Sequence, residues 1–286
     1  MGEGLRVSIT LSGLSRLFGA SLAGVVDAAA AADAAGIDQI AVPDHLAIGP
    51  RTDRYPYGRF PMPPEEPWLE PLVTLAALAG ATRRIRLATS VLIAPLRPAL
   101  VLAKSLATLD VLSQGRLDLG VGIGWQPEEF QAAGVPFEGR AARLDDQLRA
   151  CRALWSGGPI SFRSPTVAFD DLVCLPRPLQ PGGIPIWFGV ALTPKNVDRI
   201  AELGAGWLPI GTDLAEIARG IAALRKAFEK AGRDPAALGV RAHAPALDAL
   251  PRMREAGVTI AAFALGRFAR SRDELGPFLE QVAALR

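Results

Sequence analysis

The sequence predicts an α/β fold, a (β/α)8 barrel of the TIM type, formed as a single domain over residues 1–286. Strand-like and helix-like segments alternate eight times along the chain, and no break in the alternation indicates a topological switch. The composition, 50% hydrophobic and 21% charged, suits the large core of one such barrel. A doubly wound open sheet is the alternative that the same alternation leaves open.

Each element follows from its residue pattern. Short apolar, β-branched runs predict buried parallel strands, and longer segments with an apolar stripe predict helices. Pro98 suits a helix start, and Gly36 and Gly115 suit helix ends. The predicted strands are Val7–Leu11, Asp38–Val42, Ile85–Val91, Arg116–Val121, Ile186–Gly189, Gly206–Ile210, Leu238–His243 and Val258–Leu265. The predicted helices are Leu22–Ala35, Leu69–Gly80, Ala99–Leu112, Arg140–Trp155, Pro194–Leu203, Leu214–Ala231, Leu250–Ala256 and Glu274–Ala284.

Two connections are too long to be plain turns. Residues 47–67 follow the second strand and are rich in proline, arginine and aromatic residues. This insertion leaves the carboxyl end of a strand, where barrel active sites lie, so we interpret it as a lid rather than as mobile surface. The second insertion, residues 156–185, precedes the fifth strand. Its segments Ile160–Phe162 and Thr166–Phe169 predict a small hairpin used for packing or for dimer contact.

Charge and cysteine content exclude several classes of function. The formal net charge is +2 without a basic block, so neither nucleic acid nor a membrane is expected as a partner. Cys151 and Cys174 are too few and too far apart for a disulfide framework or a metal site. Met1–Arg6 is followed by a strand-like run without a cleavage pattern. We therefore expect a cytoplasmic protein without a metal.

The candidate catalytic residues follow the second strand. His45 is one of two histidines, and a histidine at the catalytic face of a barrel can donate a proton near neutral pH. Asp44 beside it can accept hydrogen bonds from a heterocyclic ligand or orient His45. A capping or structural role is the alternative for both residues. His243, at the end of the seventh strand, is interpreted as structural.

A glycine-rich turn after the fourth strand is the candidate ligand site. Glycine at the carboxyl end of a parallel strand lets a flat or anionic ligand approach the backbone, and Gly122-Ile123-Gly124 lies there. Trp125 could form a wall of such a site, and Glu128 is a possible contact. Thr193 and Gly211-Thr212 precede helices in the half of the barrel where phosphates commonly bind. No nucleophile elbow, P-loop or zinc motif occurs, so the chemistry must come from a cofactor.

The chain resembles the luciferase-like monooxygenase superfamily, in its branch of deazaflavin-dependent oxidoreductases. The matching segments cover most of residues 5–212. They are IDQIAVPDHL, then PLVTLAALAGATRRIRLATSVLIAPLRPALVLAKSLATLDVLSQGRLDLGVGIGWQPEEFQAAGVPFEGRAARLDDQLRACRALW, and PIWFGVALTPKNVDRIAELGAGWLP. The run from TSVLIAP to EEF is long and specific.

The resemblance implies a barrel that holds a flavin or deazaflavin at its carboxyl-end mouth, in a homodimer. Asp44 and His45 would border the ring of the coenzyme, and Ser90-Val91 would form a non-prolyl cis peptide behind it. The segment flanking the ring and ribityl chain would be Gly122, Ile123, Gly124, Trp125 and Glu128. The loop along the ring edge would be Gly189, Val190 and Ala191, and the phosphate would lie near Thr193, Gly211 and Thr212.

The sequence departs from the family pattern at three places. Val190-Ala191 stands where a second glycine is usual, and Ala205 stands where an aspartate is common. The segment IGTD at residues 210–213 offers no lysine or arginine for a phosphate. Lys195 or a residue of the C-terminal quarter would have to supply that charge.

The function predicted from the resemblance is hydride transfer between coenzyme F420 and an electrophilic carbon, such as an imine, enone or activated alkene, of a small organic substrate. His45 or a lid tyrosine would supply the proton. A monooxygenase that receives reduced FMN from a partner reductase is one alternative, and a non-catalytic flavin-binding barrel is another. A flavin or F420 reductase is therefore an expected partner. The lid residues Tyr55, Tyr57, Phe60 and Trp68 favour an apolar or aromatic substrate.

Overall fold

The computed structural model describes residues 4–285, so the start of the predicted N-terminal segment and Arg286 lie outside the described residues. Strands and helices alternate along this part of the chain. The strands are β1 Arg6–Thr10, β2 Gln39–Val42, β3 Arg86–Thr89, β4 Leu92–Ile93, β5 Leu117–Gly122, β6 Ile160–Arg163, β7 Ala168–Leu172, β8 Ile186–Phe188, β9 Gly206–Trp207, β10 Gly239–His243 and β11 Ile260–Ala264. The helices are α1 Ser15–Phe18, α2 Val25–Ala34, α3 Pro71–Ala81, α4 Ala99–Leu112, α5 Pro127–Ala132, α6 Arg140–Leu154, α7 Pro194–Leu203, α8 Leu214–Lys230, α9 Leu250–Glu255, α10 Leu265–Phe268 and α11 Arg272–Ala284.

Parallel pairing closes eight strand positions into a ring, which confirms the predicted barrel. Around the ring the order is β1, β2, β3, β5, β8, β9, β10 and β11, and β11 returns to β1. The pairing of β3 with β5 closes the ring, and β4 continues the line of β3 along β5. A closed ring rules out the doubly wound open sheet.

Polar side chains cross the interior of this barrel. Gln39 on β2 donates from Nε2 to Asp118 Oδ2 on β5 at 2.8 Å, although β3 lies between these two strands. A bond between strands that are not neighbours must pass through the inside of the ring. Arg86 on β3 completes the cluster with a bidentate pair to Asp118, at 2.9 Å and 2.6 Å. The barrel interior is thus a packed polar layer below the mouth, not an open channel.

Most predicted elements agree with the structure, and the differences have local causes. The predicted third strand is interrupted at the Ser90-Val91 peptide, which is cis, so the strand is split into β3 and β4. The predicted sixth strand ends at Trp207, because Pro209 has no N–H to continue the ladder. The short helices α1, α5 and α10 were not predicted.

Both insertions are placed as expected along the chain. The segments β6 and β7 form the predicted antiparallel hairpin. Residues 47–67 have no regular structure except the 3-10 turn Thr52–Arg54. Within residues 4–285, no helix is both long enough and apolar enough to cross a membrane.

Candidate active site

A cleft of about 1120 Å³ opens at the carboxyl ends of the barrel strands. Its walls come from the loops after β1, β2, β3, β5, β8, β9, β10 and β11, together with the insertion 47–67. A cleft of this size at this face is where a barrel enzyme holds its ligands.

The cleft brings together most of the residues singled out in the sequence. Those that line it are Asp44, His45, Ser90, Val91, Gly122, Ile123, Gly124, Trp125, Gly189 and Thr212. Those that do not line it are Glu128, Val190, Ala191, Thr193 and Gly211. The predicted site therefore splits into residues at the cleft and residues beside it.

A platform at the cleft floor is formed by the cis peptide Ser90-Val91. The Val91 side chain lies between two glycines: a Cβ on Gly122 would lie 2.6 Å from Val91 Cγ2, and one on Gly189 would lie 2.6 Å from Val91 Cγ1. Gly124, with φ +72°, makes room in the same way for Ile93 and Phe130. These glycines thus admit the side chains of the bulge, which is a packing reason in addition to the ligand approach predicted from sequence.

His45 is held by a carboxylate from a different element. Its Nδ1 lies 3.1 Å from Glu129 Oε2, and its ring is 9% exposed. Phe60, Trp68 and Trp125 surround the imidazole edge-to-face, with centroid distances of 5.7, 4.9 and 6.1 Å. The contact to Glu129 occupies Nδ1 and leaves Nε2 as the ring nitrogen available to a ligand.

The Asp44 carboxylate does not orient His45, which corrects one prediction. Both of its oxygens are used by protein groups: Arg97 donates to Oδ2 at 2.6 Å and to Oδ1 at 3.1 Å. The Ile93 amide also donates to Oδ2, at 2.8 Å. Asp44 borders the cleft but fixes the segment after the bulge, and Glu129 takes the orienting role.

Glu129 contacts the insertion 47–67 as well as His45. Its Oε1 accepts the Leu46 amide at 2.6 Å, while Oε2 holds His45. Gln126 adds a second anchor, accepting from Gly49 N at 2.8 Å and donating to Gly49 O at 3.1 Å. The start of the insertion is thereby tied to α5 and its preceding turn.

Aromatic packing seats the rest of the insertion 47–67 over the cleft. The Tyr55 ring meets Phe60 and Trp125 edge-to-face, each at 5.3 Å. Burial raises the pKa of Tyr55 and of Tyr57 above the ordinary value, so both hydroxyls stay protonated near neutral pH. The segment thus covers one side of the cleft, as predicted for a lid; its motion stays a prediction.

Sequence similarity decides the family. A model described as luciferase-like monooxygenase matches residues 6–263. The chain belongs to the luciferase-like monooxygenase family. An uncharacterized protein of Mycobacterium tuberculosis is 36% identical over 271 residues, spanning 91% of this chain and 94% of that protein.

Two further proteins that this chain is similar to have names that state an activity. The F420-dependent hydroxymycolic acid dehydrogenase of Mycobacterium tuberculosis is 34% identical over 218 residues, covering 75% of this chain and 56% of that protein. The coenzyme F420-dependent tetrahydromethanopterin reductase of Methanopyrus kandleri has a TM-score of 0.73 at 16% identity, covering 98% of each chain. The second likeness is one of fold alone.

Four of the five residues of this luciferase-like chain that lie beside the cleft have structural partners. The Val190 side chain is buried, and its carbonyl accepts the Trp207 indole N–H at 2.9 Å. The Ala191 carbonyl accepts from Asn196, and Thr193 caps α7 through the Asn196 amide. Glu128 lies 3.6 Å from Arg54. The bulkier Val190-Ala191 loop is accommodated because Val190 points into the core.

A buried arginine below the platform was missed by sequence reasoning. Arg241 on β10 donates from Nη2 to Ser90 Oγ at 2.6 Å and to Thr10 Oγ1 at 3.1 Å. Burial lowers its pKa to about 10, with Asp118 opposing that effect, so the guanidinium stays charged at neutral pH. The only sequence signal was an arginine inside an apolar strand, two residues before His243.

His243 lies in the cleft itself. The imidazole is open to the cleft but lies below the protein surface, near Arg241 and Arg267. Loss of bulk water and these two positive neighbours lower its pKa to about 4. The ring is therefore neutral at neutral pH. It lies at the cleft, at the end of a strand as predicted, and its structural role stays a prediction.

Two buried donors in the cleft have no partner within the described part of the chain: the indole N–H groups of Trp68 and Trp125. Buried N–H groups are normally paired, so both are candidate ligand contacts. Among residues 4–285, no group of three or more His, Cys, Asp or Glu side chains is arranged to hold a metal ion.

Proposed function

We propose that this luciferase-like protein is an oxidoreductase that transfers a hydride between coenzyme F420 and an electrophilic carbon of a small organic substrate. The observation that carries the proposal is the Val91 platform, which lies between Gly122 and Gly189 and lines the same cleft as His45. The F420-dependent dehydrogenase among the relatives supports the choice of coenzyme.

The residues at the cleft fit a flat, anionic heterocycle. Val91 and the backbone at Gly122 and Gly189 form the floor, and the Trp125 indole N–H beside it has no partner among residues 4–285. The charge of Arg241 lies behind this floor. Coenzyme F420, when bound, supplies hydride chemistry at C5 of its ring, and the chain has to bind the ring and protect it from water.

His45 is proposed as the proton donor to the substrate. Glu129 Oε2 lies 3.1 Å from Nδ1 and orients the ring, so Nε2 is the ring nitrogen presented to a ligand. Phe60, Trp68 and Trp125 exclude water around it. Tyr55, half-buried and protonated, is the second candidate donor.

The coenzyme assignment is tested by binding. Apo-protein is titrated with F420 and, separately, with FMN, and quenching of ligand and tryptophan fluorescence is followed. F420 is expected to bind at least tenfold more tightly than FMN. Tight FMN binding without a response to F420 would replace the proposal with the FMN-dependent monooxygenase, and absence of binding for both would favour a barrel that has lost its coenzyme.

A further inference from the structure

The charge of the cleft is unbalanced toward positive. Two carboxylates line it, Asp44 and Glu66, and protein groups satisfy both. Asp44 is paired with Arg97, as described above. Glu66 accepts from Ser15 Oγ at 2.6 Å and from the Ser15 amide at 3.1 Å. Neither carboxylate is thus directed at the arginines that also line the cleft.

Three of those arginines lie on or just after two helices that contact each other, α1 and α10. Arg16, Arg267 and Arg270 line the cleft, are exposed to it, and, within residues 4–285, have no carboxylate within 4.0 Å of their guanidinium groups. We call these arginines and His243 the cationic corner.

The fold fixes the position of this corner. The Gly266 amide donates to Ser12 O at 2.9 Å, and a Cβ on Gly266 would lie 2.1 Å from Gly13 O, so the loop after β1 and helix α10 are in direct contact. Arg16 on α1 and Arg267 on α10 are thereby placed on adjoining elements.

Arg267 also reaches across to the end of β10. Its Nη2 donates to Pro245 O at 3.1 Å, two residues after His243, which leaves its other N–H groups available to a ligand. Because a guanidinium offers five donors in a planar fork, it is well suited to bind a carboxylate or a phosphate in bidentate fashion.

The cationic corner lies away from the Val91 platform. The platform belongs to β3, β5 and β8, whereas the corner belongs to β1, β10 and β11, and β2 and β9 separate the two groups around the ring. The aromatic residues Tyr55, Phe60 and Trp68 of the lid side line the same cleft. A molecule with an apolar body can contact these rings while an attached anion reaches the corner.

We propose that the cationic corner binds the anionic group, a carboxylate or phosphate, of the substrate, whose apolar or aromatic body lies against the lid residues. The assignment of the bound molecule as the substrate rests on the proposed function, whereas the anion site itself does not depend on that function. Arg267 is the main contact and His243, neutral and open to the cleft, adds a hydrogen bond.

The two histidines of the chain make the test direct. Apo-protein labelled with [¹³Cε1]-histidine is titrated with inorganic phosphate and followed by NMR. Saturable binding should shift the His243 signal and raise its pKa, because an anion cancels the effect of Arg267. The His45 signal, held by Glu129, serves as the internal control and should not change. An unmoved His243 signal would overturn the proposal.

Substitutions distinguish a specific anion-binding site from a general positive potential in the cleft. Arg267→Ala should weaken phosphate binding at least tenfold, Arg16→Ala should weaken it less, and Arg267→Lys should retain part of it. Arg54→Ala is the matched control, because Arg54 also lines the cleft but pairs with Glu128. An equal loss in Arg54→Ala and Arg267→Ala would refute a specific corner.

A last comparison assigns the corner to substrate rather than coenzyme. Benzoate and benzyl alcohol are titrated with and without saturating F420. Benzoate should bind at least tenfold more tightly than the alcohol, and F420 should leave its affinity unchanged. Displacement of benzoate by F420 would give the corner to the coenzyme and overturn the substrate assignment. Failure of F420 to bind would instead refute the proposed function, while the response of His243 to phosphate would still stand.

Discussion

Gly122→Ala tests the idea that the Val91 platform forms the coenzyme floor. The new Cβ would lie 2.6 Å from Val91 Cγ2, where ordinary contact begins at 3.4 Å, so Val91 must move by about 0.8 Å or the strand must shift. Overpacking of this kind costs about 1–3 kcal/mol. If Val91 moves into the space of the coenzyme ring, this free energy is lost from F420 binding, which corresponds to a loss of about 5-fold to 150-fold in affinity.

The assay is F420 titration by fluorescence, with thermal unfolding measured on the same samples. The double variant Gly122→Ala/Val91→Ala removes the colliding methyl and should bind F420 more tightly than Gly122→Ala alone, which gives a coupling free energy. Gly80→Ala, where a Cβ meets nothing within 4 Å, is the control and should bind normally. Unchanged affinity in Gly122→Ala, or strictly additive effects in the double variant, would refute the reasoning.

Four other predictions follow from the same contacts. His45→Ala should lower turnover by about 10²–10⁴-fold and F420 affinity only slightly, measured by steady-state kinetics and titration; equal losses in both would contradict a role in proton transfer. Arg97→Met should destabilise the protein by about 3–5 kcal/mol in urea unfolding, because it leaves the buried Asp44 carboxylate without its cation, whereas Arg51→Met at the exposed Asp53 pair should have no measurable effect. Arg241→Met should weaken F420 binding, because it removes the hydrogen bond that Arg241 donates to Ser90 Oγ in the platform, and it should cause little loss of stability; normal F420 affinity would disprove this link. Stability should fall as the pH drops from about 6.5 toward about 4, since the unfolded chain binds a proton at residue 243 that the folded chain refuses, and His243→Gln should flatten this part of the curve in thermal unfolding at stepped pH.

The order of elements was predictable because it is a local property. Each strand such as Leu117–Gly122 carries its apolar pattern within a few residues, and the eight alternations leave a barrel as the closed solution. The interruption of the third strand was not encoded in that pattern, since Ser90-Val91 continues an apolar run. The family resemblance predicted the cis peptide there, and the structure has it.

The partners within the site were predictable only in part, because they join residues far apart in sequence. His45 and Glu129 are separated by 84 positions, and Asp44 and Arg97 by 53. Adjacency in sequence made Asp44 one candidate for orienting His45, but the two side chains are held by different elements. Several acidic residues lie near strand ends, and the stagger of the strands around the ring decides which of them contacts a histidine. This stagger cannot be read from the local sequence pattern.

Arg241 shows why a barrel interior resists prediction from sequence. A charged residue on a strand would ordinarily be assigned to the outer face, where helices or solvent could satisfy it. Its hydrogen bonds to Thr10 and Ser90 instead cross the ring to β1 and to the end of β3, and they exist only because the barrel is closed. The same closure places its charge behind the platform that Val91 forms. Coenzyme floor and buried cation are therefore one unit, so a substitution at Arg241 should be detected in binding at the cleft before it is detected in the stability of the fold.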